Sequence, residues 1–407
     1  MGKFNKFIQK SLGSELTTLS LLSIALFLFL IVYFLFIGIK YTPYEINELD
    51  SLGQHIPLAK SILEGRLFNP PEMGKGLGFY MPVGEIILSL LILLNIPLGF
   101  YNIIAVILIY FLCFKLARSY LLSKENALLF STVVVYLNPI VRLISTQKND
   151  LFLLSFFLLF WFLLKLGGSS LKYFITLGIS FGLLIGTKYS GIIFSIVLLI
   201  AFGKSLLKTM TNKNITSFAI FAFLFGGIWY TRNYVLTGNP IYPVGLFGFK
   251  GHPEFIIPTG LDTLFNKSTF PITLDAFISE YLIWIFIPIM VIWLFVLRKT
   301  RRLAVNNFPL LLIAAGASFA YFLGPSEFTR VNITSNMRFL LETFVSLVLF
   351  IFLAFKNHNL EKYLKLLAIL SVFAIIPQLD YYPKLIILWI GIIAFIVFIM
   401  NKKVKLE

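Results

Sequence analysis

The sequence predicts an all-α polytopic membrane protein, a bundle of about twelve transmembrane helices. Apolar runs recur from one end of the chain to the other, and 58% of the 407 residues are hydrophobic while only 13% are charged. This pattern is typical of helical membrane proteins. The single cysteine, Cys113, excludes an intrachain disulfide and a cysteine-built metal site. The net charge of +16 would also suit nucleic acid, but its distribution indicates membrane topology instead.

The predicted spans follow one another as a single integral-membrane domain over residues 1–407, with no separate soluble domain. The first apolar run is too long for a signal-peptide core and is not followed by a small-residue cleavage site, so we expect an uncleaved first span. The spans are predicted near residues 16–39, 100–117, 125–138, 151–166, 172–187, 190–203, 215–230, 282–297, 308–323, 340–355, 363–377 and 384–400.

The apolar run at residues 86–98 decides the topology. If it does not cross, the inner side holds 21 of the 34 basic residues with four acids, and the outer side holds 13 basic residues with 14 acids. If it crosses, 18 of those 21 basic residues face outward, against the rule that cytoplasmic loops collect Lys and Arg. We therefore predict a surface-lying or re-entrant helix at residues 86–98 and cytoplasmic N- and C-termini.

This topology leaves two long outer loops, at about residues 40–99 and 231–281. Long loops in compact proteins often carry function. In the first loop, three carboxylates (Glu45, Glu48 and Asp50) precede a helical pattern that begins after Pro57 and ends at Gly65. We expect a short amphipathic helix lying on the membrane, with the acidic cluster at its entrance.

Two acids at the outer face are candidates for chemistry. Asp50 lies in the first outer loop, where a helix cap or a solvated loop acid is the structural alternative. Asp150 begins a predicted span, where an acid is costly unless it caps, pairs or functions. Together they indicate a general base or a metal site, which Asp50 and Asp150 would form. His55 could assist Asp50 or ligate a metal, but the chain has only three histidines.

Two cations are predicted at the same face. Lys188 ends one span and Arg338 precedes another. Snorkelling to the headgroups is the structural alternative for Lys188. The functional interpretation is a phosphate site, because an arginine fork binds phosphate through two hydrogen bonds. A membrane-anchored phosphate would suit two cations placed opposite two acids.

A series of short motifs in a fixed order extends over about residues 18–345, and it resembles the polytopic glycosyltransferases of the GT-C fold. That group includes the protein O-mannosyltransferases and the lipid A aminoarabinose transferase. One family proline is missing beside Tyr80, where Met81 or Val83 stands instead. The motifs that carry the resemblance are Asp50-Ser-Leu-Gly-Gln-His-Ile-Pro57, Tyr80-Met-Pro82, Asn138-Pro139 with Asp150, Gly186-Thr-Lys-Tyr189, Arg232-Asn-Tyr, Gly238-Asn-Pro-Ile-Tyr-Pro243 and Arg338-Phe339.

The resemblance implies a GT-C-like bundle that transfers a sugar from a polyprenyl- or dolichyl-phosphate carrier to an acceptor hydroxyl on the outer face of the cell (inner) membrane. Asp50 would be the general base of an inverting displacement, with a pKa raised near the interface. Lys188 and Arg338 would bind the donor phosphate, and Asp150 would orient the acceptor, tune Asp50 or share a divalent cation with it. Weaker substrate-binding roles fall to His55, Tyr80, Arg232, Asn233 and Tyr242.

The expected partners are the lipid-linked donor, membrane lipids and a lipid, glycan or protein acceptor, without nucleic acid. The main alternative is a transporter or flippase of a lipid-linked saccharide, which would share the basic inner loops and outer cations. Transporters often carry repeats and mid-membrane charges, whereas this sequence shows no repeat and places its ionisable residues at one face. A non-catalytic membrane assembly partner is the second alternative.

Overall fold

The computed structural model describes residues 17–46, 48–246, 248–255, 258–281, 307–326, 328–376 and 379. This part of the chain is mostly helical and contains no β-strand, apart from one isolated antiparallel bridge between Thr259 and Pro325. The predicted all-α class is therefore confirmed for the described residues.

Five helices among the described residues are long and apolar enough to cross a membrane. The shortest has 18 residues, and at ~1.5 Å per residue it reaches about 27 Å, close to the ~30 Å hydrocarbon core. The chain thus has the build of a helical membrane protein, as predicted. The five helices are Thr18–Lys40, Leu98–Ser119, Ser190–Leu207, Asn212–Thr237 and Arg330–Asn357.

The first half of the described chain contains these α-helices: α1 Thr18–Lys40, α2 Pro43–Ile46, α3 Ile56–Leu63, α4 Val83–Leu93, α5 Tyr101–Ser119, α6 Lys124–Val135, α7 Asn138–Leu143, α8 Asp150–Leu166, α9 Leu171–Thr187 and α10 Ser190–Leu207. The second half contains α11 Asn212–Ala222, α12 Ile228–Thr237, α13 Gly260–Phe265, α14 Phe270–Tyr281, α15 Phe308–Leu323, α16 Arg330–Asn336, α17 Leu341–Asn357 and α18 Glu361–Ile375. Short π-helices occupy Ser51–His55 and Phe223–Gly227, and 3₁₀-helices occupy Gly74–Phe79, Leu98–Phe100 and Met337–Leu340.

The remaining predicted spans have different outcomes. Helices α6, α8, α9 and α15 coincide with four of them, although they have only 12, 17, 17 and 16 residues. Helix α18 coincides with most of the predicted span at 363–377. The predicted spans at 282–297 and 384–400, and the end of 363–377, lie outside the described residues. The number twelve stays a prediction.

Helices α6, α8 and α17 form the centre of the bundle. They are buried on most sides, as expected for helices in the interior of a bundle. The rings of Phe130 on α6 and Phe352 on α17 meet edge to face with centroids 5.6 Å apart. The apolar side chains of these helices therefore build the core, while their polar ends are left for the site.

The first outer loop begins and ends at the same end of the bundle. Gly38, near the end of α1, packs directly against Gly99, just before α5, and a Cβ on Gly99 would come within 2.4 Å of the Gly38 Cα. Only residues without a side chain allow so close an approach. Residues 40–99 therefore leave the bundle and return to it at one end, as the predicted topology requires.

The apolar run at residues 86–98 forms helix α4 at Val83–Leu93, which starts and ends a few residues earlier than its hydropathy suggested. It has 11 residues and spans only about 16 Å, roughly half of the hydrocarbon core. The expected short helix behind the acidic cluster is also present, as α3 with Gly65 beyond its end at a φ of 83°.

Candidate functional site

The structure brings together the four side chains that the sequence singled out as acids and cations. Lys188 Nζ lies 2.7 Å from Asp150 Oδ1. Arg338 lies between the two acids, with its Nε 3.3 Å from Asp150 Oδ2 and its NH2 nitrogen 3.5 Å from Asp50 Oδ2. Residues separated by up to 288 positions in the chain thus share one cluster.

Each of the four side chains is held at the end of a helix. Asp50 immediately precedes the π-helix Ser51–His55, and Arg338 lies in the 3₁₀-helix that leads into α17. Asp150 occupies the first turn of α8, where the positive end of the helix dipole stabilises a carboxylate. Lys188 follows directly after the last residue of α9. Three helix ends and the acidic loop therefore converge on one face.

Two further members of the cluster, Lys148 and Glu48, were not assigned roles from the sequence. The Nζ of Lys148 lies 2.7 Å from Glu48 Oε1 and 2.9 Å from Asp50 Oδ2, and its side chain is only 8% exposed. Glu48 accepts hydrogen bonds from the backbone N–H and hydroxyl of Ser51. Because Lys148 bridges both acids, it fixes the position of the loop that carries Asp50.

The two acids of the cluster differ in how far their side chains are buried. The Asp50 side chain is 47% exposed, whereas that of Asp150 is 5% exposed. Burial alone would raise the pKa of Asp50, but the adjacent Lys148 and Arg338 outweigh it and hold the pKa below its ordinary value. The expectation of a raised pKa was therefore wrong, because two cations lie against the carboxylate.

Lys188 and Arg338 retain capacity to donate hydrogen bonds. A lysine ammonium has three donors, and within the described part of the chain Lys188 donates to Asp150 alone. The Nε of Arg338 lacks a well-directed acceptor among the described residues. Both cations lie over the Phe339 ring, at 4.5 and 4.9 Å from its centroid. The pair is thus suited to accept an anion with several oxygens.

The sequence profile of one protein family, a domain of unknown function named DUF8201, matches residues 87–341. The match covers more than half of the 407 residues. The chain belongs to the DUF8201 family. No curated protein and no solved structure matches it. The family range includes Asp150, Lys188 and Arg338 but begins after Asp50.

In this DUF8201 protein, His55 has a different neighbour from the one expected. Its Nδ1 lies 2.6 Å from Oε1 of Glu85, and both side chains are buried. Glu85 lies on α4, thirty positions away in sequence. Glu85 therefore engages the Nδ1 atom of His55, and the role of His55 beside Asp50 stays a prediction.

The surroundings of Asp50 and Asp150 do not favour a metal between them. The guanidinium of Arg338 occupies the space between the two carboxylates, and a second cation pairs with each of them. No group of three or more His, Cys, Asp or Glu side chains in the described ranges is arranged to hold a metal ion.

Arg232 and Asn233 hold the first outer loop in place through hydrogen bonds, and we call this pair the Arg232 clamp. The guanidinium of Arg232 donates to the carbonyls of Leu67, Phe79 and Tyr80. Asn233 donates to the Phe79 carbonyl at 2.8 Å and is fully buried. These contacts favour a structural role over the substrate binding that the resemblance implied.

Tyr80 and Tyr242 belong to the same junction. The Tyr242 backbone carbonyl accepts the hydroxyl of Tyr189, whose ring packs against Tyr80 at 5.5 Å between centroids. Burial and the charge of Asp50 raise the pKa of Tyr80 far above its ordinary value. Tyr80 is therefore a neutral, half-buried hydroxyl close to the acidic cluster, whereas Tyr242 holds the loop.

A second ion pair lies beside the cluster. Arg142 Nε is 3.3 Å from Glu280 Oε2, and Arg142 also donates to the Thr334 carbonyl just before the segment of Arg338. Burial raises the pKa of Glu280 to about 7, although the charge of Arg142 lowers it. This pair connects α7, α14 and α16 around the site.

Proposed function

We propose that this protein is a membrane glycosyltransferase that moves a sugar from a polyprenyl- or dolichyl-phosphate donor to an acceptor hydroxyl. The observation that carries the proposal is the convergence of Asp50, Asp150, Lys188 and Arg338 at one end of a helical membrane bundle. A half-exposed carboxylate beside two cations with spare donors matches a reaction that needs a base and a phosphate site.

In this proposal the donor phosphate binds to Lys188 and Arg338. A phosphate oxygen would take up the unused donors of the Lys188 ammonium and would lie beside the Arg338 guanidinium. Asp150 holds both cations in place from beneath, since it is 5% exposed and contacts each of them. The carrier lipid would then extend among the apolar helices.

Asp50 would act as the general base. Its carboxylate takes the proton of the acceptor hydroxyl while the hydroxyl oxygen forms a bond to the anomeric carbon. The bond from that carbon to the phosphate oxygen breaks, the configuration inverts, and the carrier leaves as a lipid monophosphate. Lys188 and Arg338 would stabilise the charge that develops on this leaving group.

Donor binding would also raise the pKa of Asp50. Lys148 and Arg338 hold the pKa of Asp50 below its ordinary value. A bound phosphate would share the charge of Arg338 and so weaken that stabilisation of the carboxylate. The pKa of Asp50 would then rise toward a value useful for a base at neutral pH.

The proposal extends to architecture and location. We infer a GT-C-like bundle of about twelve spans in the cell (inner) membrane, with both termini cytoplasmic and the cluster on the outer face. The basic inner loops and the short helix α4 in the first outer loop support this arrangement.

The test is transfer by purified protein from a radiolabelled lipid-phosphate sugar, with a cellular lipid or glycan extract as acceptor. We expect Asp50→Asn to lower kcat by roughly 10²- to 10⁴-fold while donor affinity stays near wild type. We expect Arg338→Ala to weaken donor binding by roughly 10- to 100-fold, as for loss of hydrogen bonds to a charged group.

Asp275→Asn is the matched control, since its carboxylate forms an exposed ion pair with Arg330 outside the cluster. Wild-type transfer rates in Asp50→Asn would refute the base assignment, and unchanged donor affinity in Arg338→Ala would remove Arg338 from the phosphate site. Movement of an intact donor across sealed vesicles, without cleavage of its phosphate–sugar bond, would favour the flippase.

A further inference from the structure

Glu85 is a buried carboxylate in an apolar helix that the proposed reaction does not use. It lies on α4 and is 1% exposed. Its Oε1 atom lies 2.6 Å from His55 Nδ1 and accepts a 3.4 Å hydrogen bond from Asn149 Nδ2. A buried acid is costly in such surroundings and is usually retained for a specific contact.

Each partner of Glu85 adjoins a residue of the candidate site. His55 is the last residue of the π-helix that begins directly after Asp50. Asn149 immediately precedes Asp150, and its Nδ2 also donates a 3.1 Å hydrogen bond to the carbonyl of Thr187. Thr187 in turn precedes Lys188. Glu85 and Asn149 thus connect the segments that carry the base and the acid–lysine pair.

The backbone of α4 is pressed against the same loop. A Cβ on Gly84 would come within 2.6 Å of the Asn149 Cβ and within 2.8 Å of the Tyr101 hydroxyl. Because glycine allows this approach, α4 is seated directly on the residue before Asp150. The short helix therefore cannot slide without moving Asn149.

We propose that Glu85, with Asn149, is a positioning residue that sets the separation between Asp50 and the Asp150–Lys188 pair. A single carboxylate oxygen takes hydrogen bonds from both sides, so it fixes both segments relative to α4. The use of this separation for sugar transfer rests on the proposed function, whereas the positioning itself does not.

The first test is the reactivity of the Lys188 amine, measured by mass spectrometry after brief treatment with an amine-reactive ester. Lys188 is 23% exposed and ion-paired, so loosening its neighbours should uncover it. We expect labelling of Lys188 to rise roughly fivefold in Glu85→Ala and Asn149→Ala, as for loss of one hydrogen bond.

Glu85→Gln should restore labelling to within about twofold of wild type, because the amide carbonyl still accepts from Asn149. The matched control is Asn126→Ala, which removes another buried asparagine whose Nδ2 bonds Glu361 at the opposite end of the bundle. It should leave Lys188 labelling unchanged. Equal labelling of Lys188 in wild type, Glu85→Ala and Asn149→Ala would overturn the inference. If Glu85→Ala does not fold, the comparison of Lys188 labelling between Asn149→Ala and Glu85→Gln decides instead.

The second test is affinity for undecaprenyl phosphate, compared with the thermal unfolding midpoint. We expect Asn149→Ala to bind roughly fivefold more weakly than Asn126→Ala at matched stability. If wild type binds no lipid phosphate, the proposed function fails while the labelling test still decides the positioning. If wild type binds and the Asn149→Ala and Glu85→Ala variants bind equally well with unchanged labelling, the positioning inference alone fails.

Discussion

Replacement of Asp150 by asparagine should destabilise the protein far more than its small change in shape suggests. Asp150 is 5% exposed and lies 2.7 Å from Lys188 Nζ and 3.3 Å from Arg338 Nε. Asp150→Asn would leave two largely buried cations without their shared counter-charge. Removal of one partner from a buried ion pair costs ~3–5 kcal/mol.

The chain offers a control with the same geometry but different burial. Asp275 and Arg330 are also 2.7 Å apart, but their side chains are 58% and 74% exposed. An exposed pair contributes no more than about 1 kcal/mol, so Asp275→Asn should be close to neutral. Burial, and not distance, therefore separates the two predicted outcomes.

The assay is equilibrium unfolding of purified protein in mixed detergent micelles, with a double-mutant cycle between Asp150→Asn and Lys188→Met. We expect a coupling free energy of about 1.5–3 kcal/mol, because the double variant no longer buries an unpaired ammonium. A cost of Asp150→Asn no larger than that of Asp275→Asn, or a coupling free energy within ~0.5 kcal/mol of zero, would show that the buried pair does not stabilise the fold.

Two further predictions concern topology and pH. The only cysteine, Cys113, is buried, so a maleimide reagent will report on cysteines introduced elsewhere. An impermeant maleimide applied to intact cells should label Lys267→Cys but not Lys208→Cys. Labelling of Lys208→Cys alone would reverse the predicted topology, and labelling of both would contradict it. Glu280 has a pKa of about 7 in the folded protein against an ordinary 4.5, so the folded state binds this proton more tightly than the unfolded chain and loses stability as pH rises between those values. The free energy of unfolding of Glu280→Gln, relative to that of wild type, should rise by on the order of 1–3 kcal/mol from about pH 5 to about pH 8. A difference that stays constant across that range would contradict the assignment of this pKa to Glu280.

Much of the architecture was accessible from the sequence because two strong physical rules apply to membrane proteins. Long apolar runs form helices, and basic residues sort to one side. The charge distribution alone indicated that residues 86–98 do not cross, and α4 is too short to span while Gly38 and Gly99 meet at one end of the bundle. The span boundaries were less accessible, since hydropathy does not register caps and 3₁₀ turns.

Asp150, Lys188 and Arg338 could be predicted to lie on one face because each is a charged residue at the end of an apolar run, and Asp50 because it lies in the loop on the same side. A charge at such a place must be paired, capped or functional. Their direct contact is a property of the folded chain. The catalytic and phosphate-binding roles of the four residues stay predictions.

The partners of these residues were beyond sequence reasoning. Lys148 stands two residues before Asp150, but its bridge to Glu48 and Asp50 depends on how two distant loops meet. The sequence left His55 either to assist Asp50 or to ligate a metal, and it gave no sign of the hydrogen bond to Glu85 on α4. No periodicity in one sequence encodes such a long-range pair.

The Arg232 clamp shows the same limit. An arginine near the outer end of a span is compatible with substrate binding or with interior hydrogen bonds, and the sequence does not distinguish them. In the structure, the guanidinium of Arg232 donates hydrogen bonds to the backbone carbonyls of Leu67, Phe79 and Tyr80. The substrate role that the resemblance implied for Arg232 stays a prediction, whereas its contacts with the loop could be found only in the folded chain.

A structure of the Asp50→Asn protein with an uncleaved lipid-phosphate sugar would test most directly whether Lys188 and Arg338 bind the donor phosphate. We expect phosphate oxygens at about 2.7–2.9 Å from Lys188 Nζ and from the Arg338 guanidinium, with the anomeric carbon facing residue 50. A donor bound elsewhere, or a phosphate that contacts neither Lys188 Nζ nor the Arg338 guanidinium, would contradict the proposed phosphate site.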